Sequence, residues 1–236
     1  MDRSRLGDLF IPQLALPTVP WDDPTQPMPA PNDLAVHDGF VQQAKQGHIN
    51  LLFLGDSITY EWDGKARALF HQTYDKYDAA VFGVKGDKTQ NLLWRIDNGE
   101  LDGIQPKVIV LMIGANNVGL NGGGETEAGV VAGVAKVVDT LREKLPATKI
   151  LLMGILPMGE FADNPARQRI RRINASLAAL DDGGKTVRIL DIGSHFLDVN
   201  DDLPPTLVPD GVHPTADGYQ IWVNAMQPTL DALWNG

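Results

Sequence analysis

The sequence predicts an α/β fold, a three-layer α/β/α sandwich whose central parallel sheet has about five strands. Two observations carry this prediction. Short apolar runs recur along the chain with turn residues after most of them, and segments with helical periodicity lie between several of the runs. Strands that alternate with helices form right-handed crossovers, which make the sheet parallel and bury both of its faces.

The predicted strands are apolar runs of six or seven residues, a length typical of buried strands. In chain order they cover residues 49–54, 79–84, 108–113, 149–155 and 187–192.

Three segments carry apolar residues on one face at a period of 3.6, which predicts amphipathic helices packed on the sheet. They cover residues 130–145, 166–180 and 219–233.

Residues 1–33 differ from the rest of the chain because seven of the 16 prolines lie between Pro12 and Pro31. Proline removes a backbone donor and disfavours regular helix and strand. We therefore expect a proline-rich arm at 1–33, either packed on the domain or a neighbouring subunit or mobile, and a single domain at 34–236. The first residues make a poor signal peptide, so the chain is predicted to be soluble and cytoplasmic as written; a signal removed earlier would leave export open.

Composition excludes several classes of protein. The net charge of −10 disfavours binding to nucleic acid and to anionic membranes, and no apolar stretch is long enough to span a bilayer. The absence of cysteine excludes disulfides, thiolate zinc sites and a cysteine nucleophile, but does not fix the compartment.

In a parallel sheet, ligands bind beyond the carboxyl ends of the strands, and the candidate residues lie at such positions. Ser57 follows the first predicted strand in Gly55-Asp56-Ser57-Ile58-Thr59. A serine that opens a helix exposes its hydroxyl where backbone N–H groups can stabilise an oxyanion. The alternative is a serine that only caps the helix.

Gly86 and Asn116 follow the second and third predicted strands. Gly86 allows a backbone N–H to approach a ligand closely, and Asn116 can direct its amide into the same crevice. Each also has a structural interpretation, an ordinary glycine turn for Gly86 and a helix cap or Asx-turn for Asn116.

Asp210 and His213 lie three residues apart in Asp210-Gly211-Val212-His213-Pro214. At this spacing the carboxylate can bind Nδ1 and leave Nε2 facing a serine, although an acid–histidine pair can also cap a helix. The competing pair is Ser194-His195, whose neighbouring side chains point apart on an extended chain.

Taken together, Ser57, Gly86, Asn116 and His213 resemble the four sequence blocks of the SGNH (GDSL-type) hydrolases, over roughly residues 49–235. The stretch from 82 to 101 resembles the branch that contains the platelet-activating-factor acetylhydrolase catalytic subunits and bacterial acetylesterases. The resemblance departs from that branch at Lys85, where a small residue is common, and at Met158, where arginine is frequent.

The resemblance implies a flavodoxin-like fold and hydrolysis of short acyl esters with no metal or cofactor. Ser57 would be the nucleophile and Asp210 and His213 would complete its triad. The backbone N–H groups of Ser57 and Gly86 and the side chain of Asn116 would form the oxyanion hole. The expected partner is a small acyl ester, with acetylated carbohydrate as one candidate, and both the branch and the arm fit a homodimer.

Three alternatives remain. Residues 53–59 resemble the Asp-x-Asp-x-Thr motif of haloacid dehalogenase phosphatases, but Ile58 stands at the second aspartate. A non-catalytic binding module on the same fold is another. A thioesterase, lysophospholipase or acyltransferase is the third, because a triad does not determine the leaving group. The side chains of Trp62, Phe82, Trp94 and Met158 either shape the pocket or belong to the core.

Overall fold

Each predicted apolar run forms a strand in the computed structural model, which describes residues 23–30, 34–120, 122 and 124–236. The strands are β1 (Leu51–Gly55), β2 (Ala79–Gly83), β3 (Val108–Met112), β4 (Lys149–Met153) and β5 (Val187–Leu190). They form one parallel sheet in the order β2-β1-β3-β4-β5. The predicted parallel five-stranded sheet is therefore confirmed.

The strand order places the chain reversal at β1. The chain passes from β1 to β2 on one side and then crosses to β3 on the other, so β1 lies between the two. In doubly wound sheets the ligand crevice opens at this switch point, beyond the carboxyl ends of the strands. Every residue of β1 and β3 is buried, as expected for central strands covered on both faces.

Eight α-helices lie within the described residues. They are α1 (Leu34–Lys45), α2 (Ser57–Tyr60), α3 (Arg67–Tyr74), α4 (Thr89–Asp97), α5 (Ala115–Val118), α6 (Glu127–Lys144), α7 (Pro165–Leu177) and α8 (Ala216–Asn235). The three segments predicted from periodicity form α6, α7 and α8, which confirms them; α7 is followed by a single 3₁₀ turn at Ala178–Leu180.

The helices form two layers around the sheet. On one face α4 packs against α6, and α6 packs against α7. On the other face α3 and α8 pack together around an aromatic cluster, and α8 also contacts β3 and β4. The cluster consists of Phe53, Trp62, Phe70, Tyr74, Tyr219 and Trp222.

Part of the predicted proline-rich arm contacts the first turn of α4. The hydroxyl of Thr89 donates a 2.8 Å hydrogen bond to the carbonyl of Pro24. The backbone N–H of Met28 donates to the carbonyl of Gln90 at 2.9 Å. Residues 23–30 thus pack on the domain, whereas residues 1–22 and 31–33 lie outside the described residues, and the domain boundary after residue 33 stays a prediction.

Of the four side chains considered for the pocket, Trp62, Phe82 and Met158 are buried in the core. Trp94 is half-buried, with its ring centroid 5.0 Å from that of His37. In the part of the chain that the structure describes, no helix has the length and hydropathy needed to cross a membrane.

Candidate active site

Ser57 is the first residue of α2, immediately beyond the carboxyl end of β1. Asp56 caps this helix, since its Oδ1 accepts the backbone N–H of Ile58 at 2.9 Å. Gly55 permits the close packing of the turn, because a Cβ at that position would lie 2.1 Å from the carbonyl oxygen of Met112. The backbone that leads into the turn therefore packs tightly against the neighbouring strand β3.

Asp210 and His213 form a compact turn before α8. Oδ1 of Asp210 accepts the backbone N–H groups of Val212, at 3.0 Å, and of His213, at 2.7 Å. Its other oxygen, Oδ2, lies 2.7 Å from Nδ1 of His213. A single carboxylate thus fixes both the backbone and the ring of the histidine.

The turn delivers the imidazole to Ser57, with Nε2 of His213 2.8 Å from Oγ of Ser57. Partial burial alone would raise the pKa of the Asp210 carboxyl, but hydrogen bonds from the backbone and ring of His213 and from Val212 outweigh it and lower the pKa to about 2. An ionised carboxylate can only accept, so Nδ1 carries the ring proton and Nε2 is free to accept the serine hydroxyl.

Gly86 lies in the turn that leaves β2. Its φ of +83° is a conformation that side-chain-bearing residues rarely adopt, and a Cβ there would have no atom within 4 Å. Glycine is therefore required by the backbone conformation and not by crowding. The residue is exposed at the same edge of the sheet as Ser57.

Asn116 lies in α5, after β3, on the other side of β1 from Gly86. Its Nδ2 donates a 2.8 Å hydrogen bond to the backbone carbonyl of Asp87. The structure therefore brings Asn116 against the Gly86–Asp87 turn. An amide group has two donor hydrogens, and this contact uses one of them.

Sequence reasoning did not single out Asp87 and Arg95 as site residues. Arg95 is 3% exposed, and its Nε donates to Oδ2 of Asp87 at 2.7 Å. An arginine inside a short polar helix is ordinarily a surface residue. The signal for its burial is the pair of acids on either side of it, Asp87 and Glu100, which sequence alone does not show to be contacts.

The competing pair Ser194-His195 lies away from Ser57. Both residues are exposed in the 3₁₀ turn Gly193–Phe196 after β5. Ser194 lines a separate cavity of about 380 Å³ that also contacts α7. The structure pairs Ser57 with His213, so the alternative pair receives no support.

A cavity of about 280 Å³ adjoins the Asp210 turn. Its lining residues are Leu120, Gly159, Glu160, Asn164, Pro205, Val208, Pro209, Asp210 and Gly211. The buried Arg167 contacts this wall through the carbonyl of Gly159, to which it donates at 3.3 Å. It also donates to the carbonyl of Asp201 at 2.7 Å, outside the cavity.

Lys85 lies two residues beyond the end of β2. Its Nζ is 4.5 Å from the ring centroid of Tyr60 and 3.5 Å from Oε1 of Glu61. Tyr60 is 39% exposed and belongs to the same short helix as Ser57. This departure from the acetylhydrolase-like pattern therefore places a cation beside α2.

Tyr219 links α8 to α2 at a point outside the serine–histidine contact. Its hydroxyl, in the first turn of α8, donates a 2.5 Å hydrogen bond to the carbonyl of Ile58 in α2. Within the described residues, no group of three or more histidine, aspartate and glutamate side chains is arranged to hold a metal ion.

Comparison with known proteins identifies the family to which this chain is similar. The profile of the GDSL-like Lipase/Acylhydrolase family matches residues 53–221. Platelet-activating factor acetylhydrolase IB subunit alpha1 of Bos taurus is 29% identical over 197 residues, which cover 84% of this chain and 82% of that protein. Subunit alpha2 of Rattus norvegicus is 32% identical over 186 residues, covering 79% and 78%.

Solved structures share the fold. A GDSL-like lipase from Bacteroides thetaiotaomicron aligns with a TM-score of 0.65 at 22% identity, over 86% of this chain and 97% of that one. An acetylxylan esterase from Geobacillus stearothermophilus aligns with a TM-score of 0.59 at 20% identity, over 75% and 91%. At these identities the likeness concerns the architecture.

Proposed function

The chain belongs to the GDSL-like lipase/acylhydrolase family, the SGNH hydrolases, and is a carboxylic ester hydrolase; from that premise we propose that it hydrolyses short-chain, chiefly acetyl, esters by serine catalysis. Ser57 is the nucleophile, His213 its general base, and Asp210 the residue that orients the base. The backbone N–H groups of Ser57 and Gly86 and the side chain of Asn116 hold the oxyanion.

The observation that carries the proposal is the continuous hydrogen-bonded path from Asp210 through His213 to Ser57, with contacts of 2.7 and 2.8 Å. These residues come from opposite ends of the domain, so the contact is a product of the fold and not of local sequence. An ionised acid, a correctly oriented imidazole and a hydroxyl within hydrogen-bond distance satisfy the geometric requirements for an activated serine.

The reaction has two acyl transfers. In the first, Nε2 of His213 takes the proton from Ser57 as Oγ bonds to the ester carbonyl carbon. The tetrahedral intermediate then expels the alcohol, which takes the proton from His213. In the second, His213 removes a proton from water, the hydroxide bonds to the acyl carbon, and Ser57 leaves with the proton as the carboxylic acid is released.

The proposed oxyanion donors come from three strand ends. Ser57 supplies a backbone N–H at a helix N-terminus, where the first N–H groups lack partners within the helix. Gly86 supplies a backbone N–H from its left-handed turn, and Asn116 supplies the amide hydrogen that does not bind Asp87. Each donor of this kind typically contributes ~2.7–4 kcal/mol of transition-state stabilisation.

The preference for acetyl groups is supported by the relatives at 29–32% identity over most of the chain, which are platelet-activating factor acetylhydrolase subunits. The cavity of about 280 Å³ beside Asp210 is large enough for a small acyl group. We propose a carbohydrate as the alcohol portion of the ester. Acetylated sugars are then the proposed natural substrate class.

The decisive measurement is the initial rate of p-nitrophenyl acetate hydrolysis without added metal, for the wild type, Ser57→Ala and the matched control Ser194→Ala. We expect Ser57→Ala to lose roughly 10³-fold or more in kcat and Ser194→Ala to match the wild type. Activity retained by Ser57→Ala would show that another group is the nucleophile.

Substrate class is tested on the same enzyme with an acyl-chain series, an acetylated xylose derivative, an acetyl thioester and a lysophospholipid. We expect kcat/KM to fall as the chain grows beyond acetyl and the oxygen ester to exceed the thioester. The opposite order would identify a thioesterase or lysophospholipase on the same triad.

A further inference from the structure

A buried guanidinium links the turn that carries Ser57 to the turn that carries Gly86. Arg95 lies on α4, is 3% exposed, and directs its three nitrogens to three different segments. Nη2 donates to the carbonyl of Gly55 at 3.2 Å, and Nε donates to Oδ2 of Asp87 at 2.7 Å. Nη1 binds both carboxylate oxygens of Glu100.

Two of these contacts reach the reactive edge of the sheet. Gly55 is the last residue of β1 and precedes Ser57 by two positions, so its carbonyl belongs to the nucleophile turn. Asp87 directly follows Gly86, and its backbone carbonyl accepts the 2.8 Å hydrogen bond from Asn116. A displacement of Asp87 would therefore move two of the three proposed oxyanion donors together.

Glu100 fixes the guanidinium from the far side. Its carboxylate is fully buried, and one oxygen lies 3.7 Å from Nδ1 of the buried His37. Burial alone would lower the pKa of Arg95, but the charges of Glu100 and Asp87 outweigh it and raise the pKa. The guanidinium therefore carries its positive charge at neutral pH.

The geometry requires an arginine. A planar guanidinium has five donors in a rigid fork and can bind two carboxylates and a carbonyl at once, whereas the ammonium of lysine is a point charge on a flexible stem. Buried ion pairs contribute little net stability when compared with apolar packing, so net stability alone does not account for a triad of buried charges at this position.

We propose that Arg95 is a positioning residue for ester hydrolysis, which keeps the Gly86–Asp87 turn in register with Ser57. The proposal rests on the function assigned to Ser57 above. Arg95 does not touch the substrate; it sets the distance between the nucleophile and the donors that receive the oxyanion. Misplacement of about 1 Å at such a site can lower the rate about 10²-fold.

The test compares Arg95→Lys and Asp87→Asn with Leu141→Ala, a buried residue near the end of α6 and far from the reactive edge. Active sites are counted by the p-nitrophenol burst or by a fluorophosphonate that labels Ser57, so that rates refer to folded enzyme. The measurements are kcat, KM and the inhibition constant of phenylboronic acid, which forms a tetrahedral adduct on the serine.

We expect both site variants to lose at least about tenfold in kcat per labelled serine, with KM changed less than about threefold. The phenylboronic acid inhibition constant should rise with the loss in kcat, whereas Leu141→Ala should keep both values despite a lower melting temperature. If Arg95→Lys does not fold, Asp87→Asn carries the same test.

Wild-type kcat per labelled serine in the site variants, or an equal loss in Leu141→Ala, would overturn the proposal. Failure of the assigned function has a different signature, because Ser57→Ala would then remain active and the fluorophosphonate would not label Ser57 in the wild type.

Discussion

Asn116 donates its side-chain hydrogen bond to the backbone carbonyl of Asp87 at 2.8 Å, whereas its neighbour Asn117 is fully buried and binds side chains and backbone of α4. Oδ1 of Asn117 accepts the backbone N–H of Thr89 at 3.0 Å, and its Nδ2 donates to Gln90 at 3.0 Å. Two adjacent amides therefore serve different purposes, one at the reactive edge and one in the core.

This difference predicts opposite effects of two alanine substitutions. Asn116→Ala should lower kcat about 10²–10³-fold, the usual cost of one oxyanion donor, with a small change in the free energy of unfolding. Asn117→Ala should destabilise the fold by about 1–3 kcal/mol, because it leaves the Thr89 N–H buried without its acceptor. Urea unfolding and kcat per labelled serine measure the two effects; a larger loss of kcat in Asn117→Ala would contradict the assignment.

Gly86 offers a test with an internal control, because Gly183 has nearly the same backbone conformation. Their φ values are +83° and +81°, and a Cβ at either position would have no atom within 4 Å. Alanine at each should therefore cost a similar ~1–2 kcal/mol of unfolding free energy from the left-handed backbone. We expect only Gly86→Ala to lose kcat as well, because relaxation of its strained turn displaces the backbone N–H that alanine retains. Equal turnover in the two variants would count against this turn as part of the oxyanion hole.

Asp210→Asn should preserve the turn but favour the wrong tautomer of the His213 imidazole. The asparagine oxygen can still accept the backbone N–H groups of Val212 and His213, but its NH₂ group would face Nδ1 and favour the tautomer with the proton on Nε2. We expect kcat at neutral pH to fall by up to ~10⁴-fold with the fold intact. A variant with turnover within tenfold of the wild type would show that Asp210 does not orient the base.

The buried carboxyl of Asp56 leads us to predict an unusual dependence of protein stability on pH. Its carboxyl is fully buried, and Oδ2 has no hydrogen-bond partner among the described residues. Burial raises its pKa to about 7, against the hydrogen bond from the Ile58 N–H and with a contribution from the charge of Asp87. The folded protein therefore holds a proton that the unfolded chain releases at a lower pH.

The stability that this proton supplies is fully present below the unfolded pKa of about 4 and is lost as the pH rises through about 7. The slope should reach at most ~1.4 kcal/mol per pH unit between these values. Asp56→Asn keeps a good helix cap and removes the titration. Its unfolding free energy, measured in urea from pH 4.5 to 8, should decline less with pH than that of the wild type, and parallel curves would contradict the prediction.

The strands and the last three helices could be predicted because each is an element with one dominant signal. A fully apolar run such as β3 has the length and composition of a central strand that is buried on both faces. The periodicity of α6 and α8 similarly identifies a face that must be buried. The candidate residues Ser57, Gly86, Asn116 and His213 could be proposed because they follow these strands or precede a helix.

The elements that sequence reasoning missed lack such a signal. Helices α1 and α3 mix polar and apolar residues, and α4 carries Arg95 at a position that packs inward. The burial of Arg95 depends on Asp87, Glu100 and the carbonyl of Gly55, which come together only in the folded chain. Likewise, residue type alone does not distinguish Asn116 from Asn117, because their environments are set by hydrogen bonds to the Gly86–Asp87 turn and to the first turn of α4.

The hydrogen bond from Tyr219 to the carbonyl of Ile58 has a consequence for the second half of the proposed reaction. Once Oγ of Ser57 is acylated, it no longer has a proton to share with His213, and the direct contact between nucleophile and base is lost. The Tyr219 hydrogen bond does not involve Oγ of Ser57, so acylation leaves it intact. It continues to hold α8 and the preceding His213 turn against α2, the helix that bears the acyl group. The imidazole of His213 therefore keeps its position relative to the acyl group. The base is already in place when water enters for deacylation.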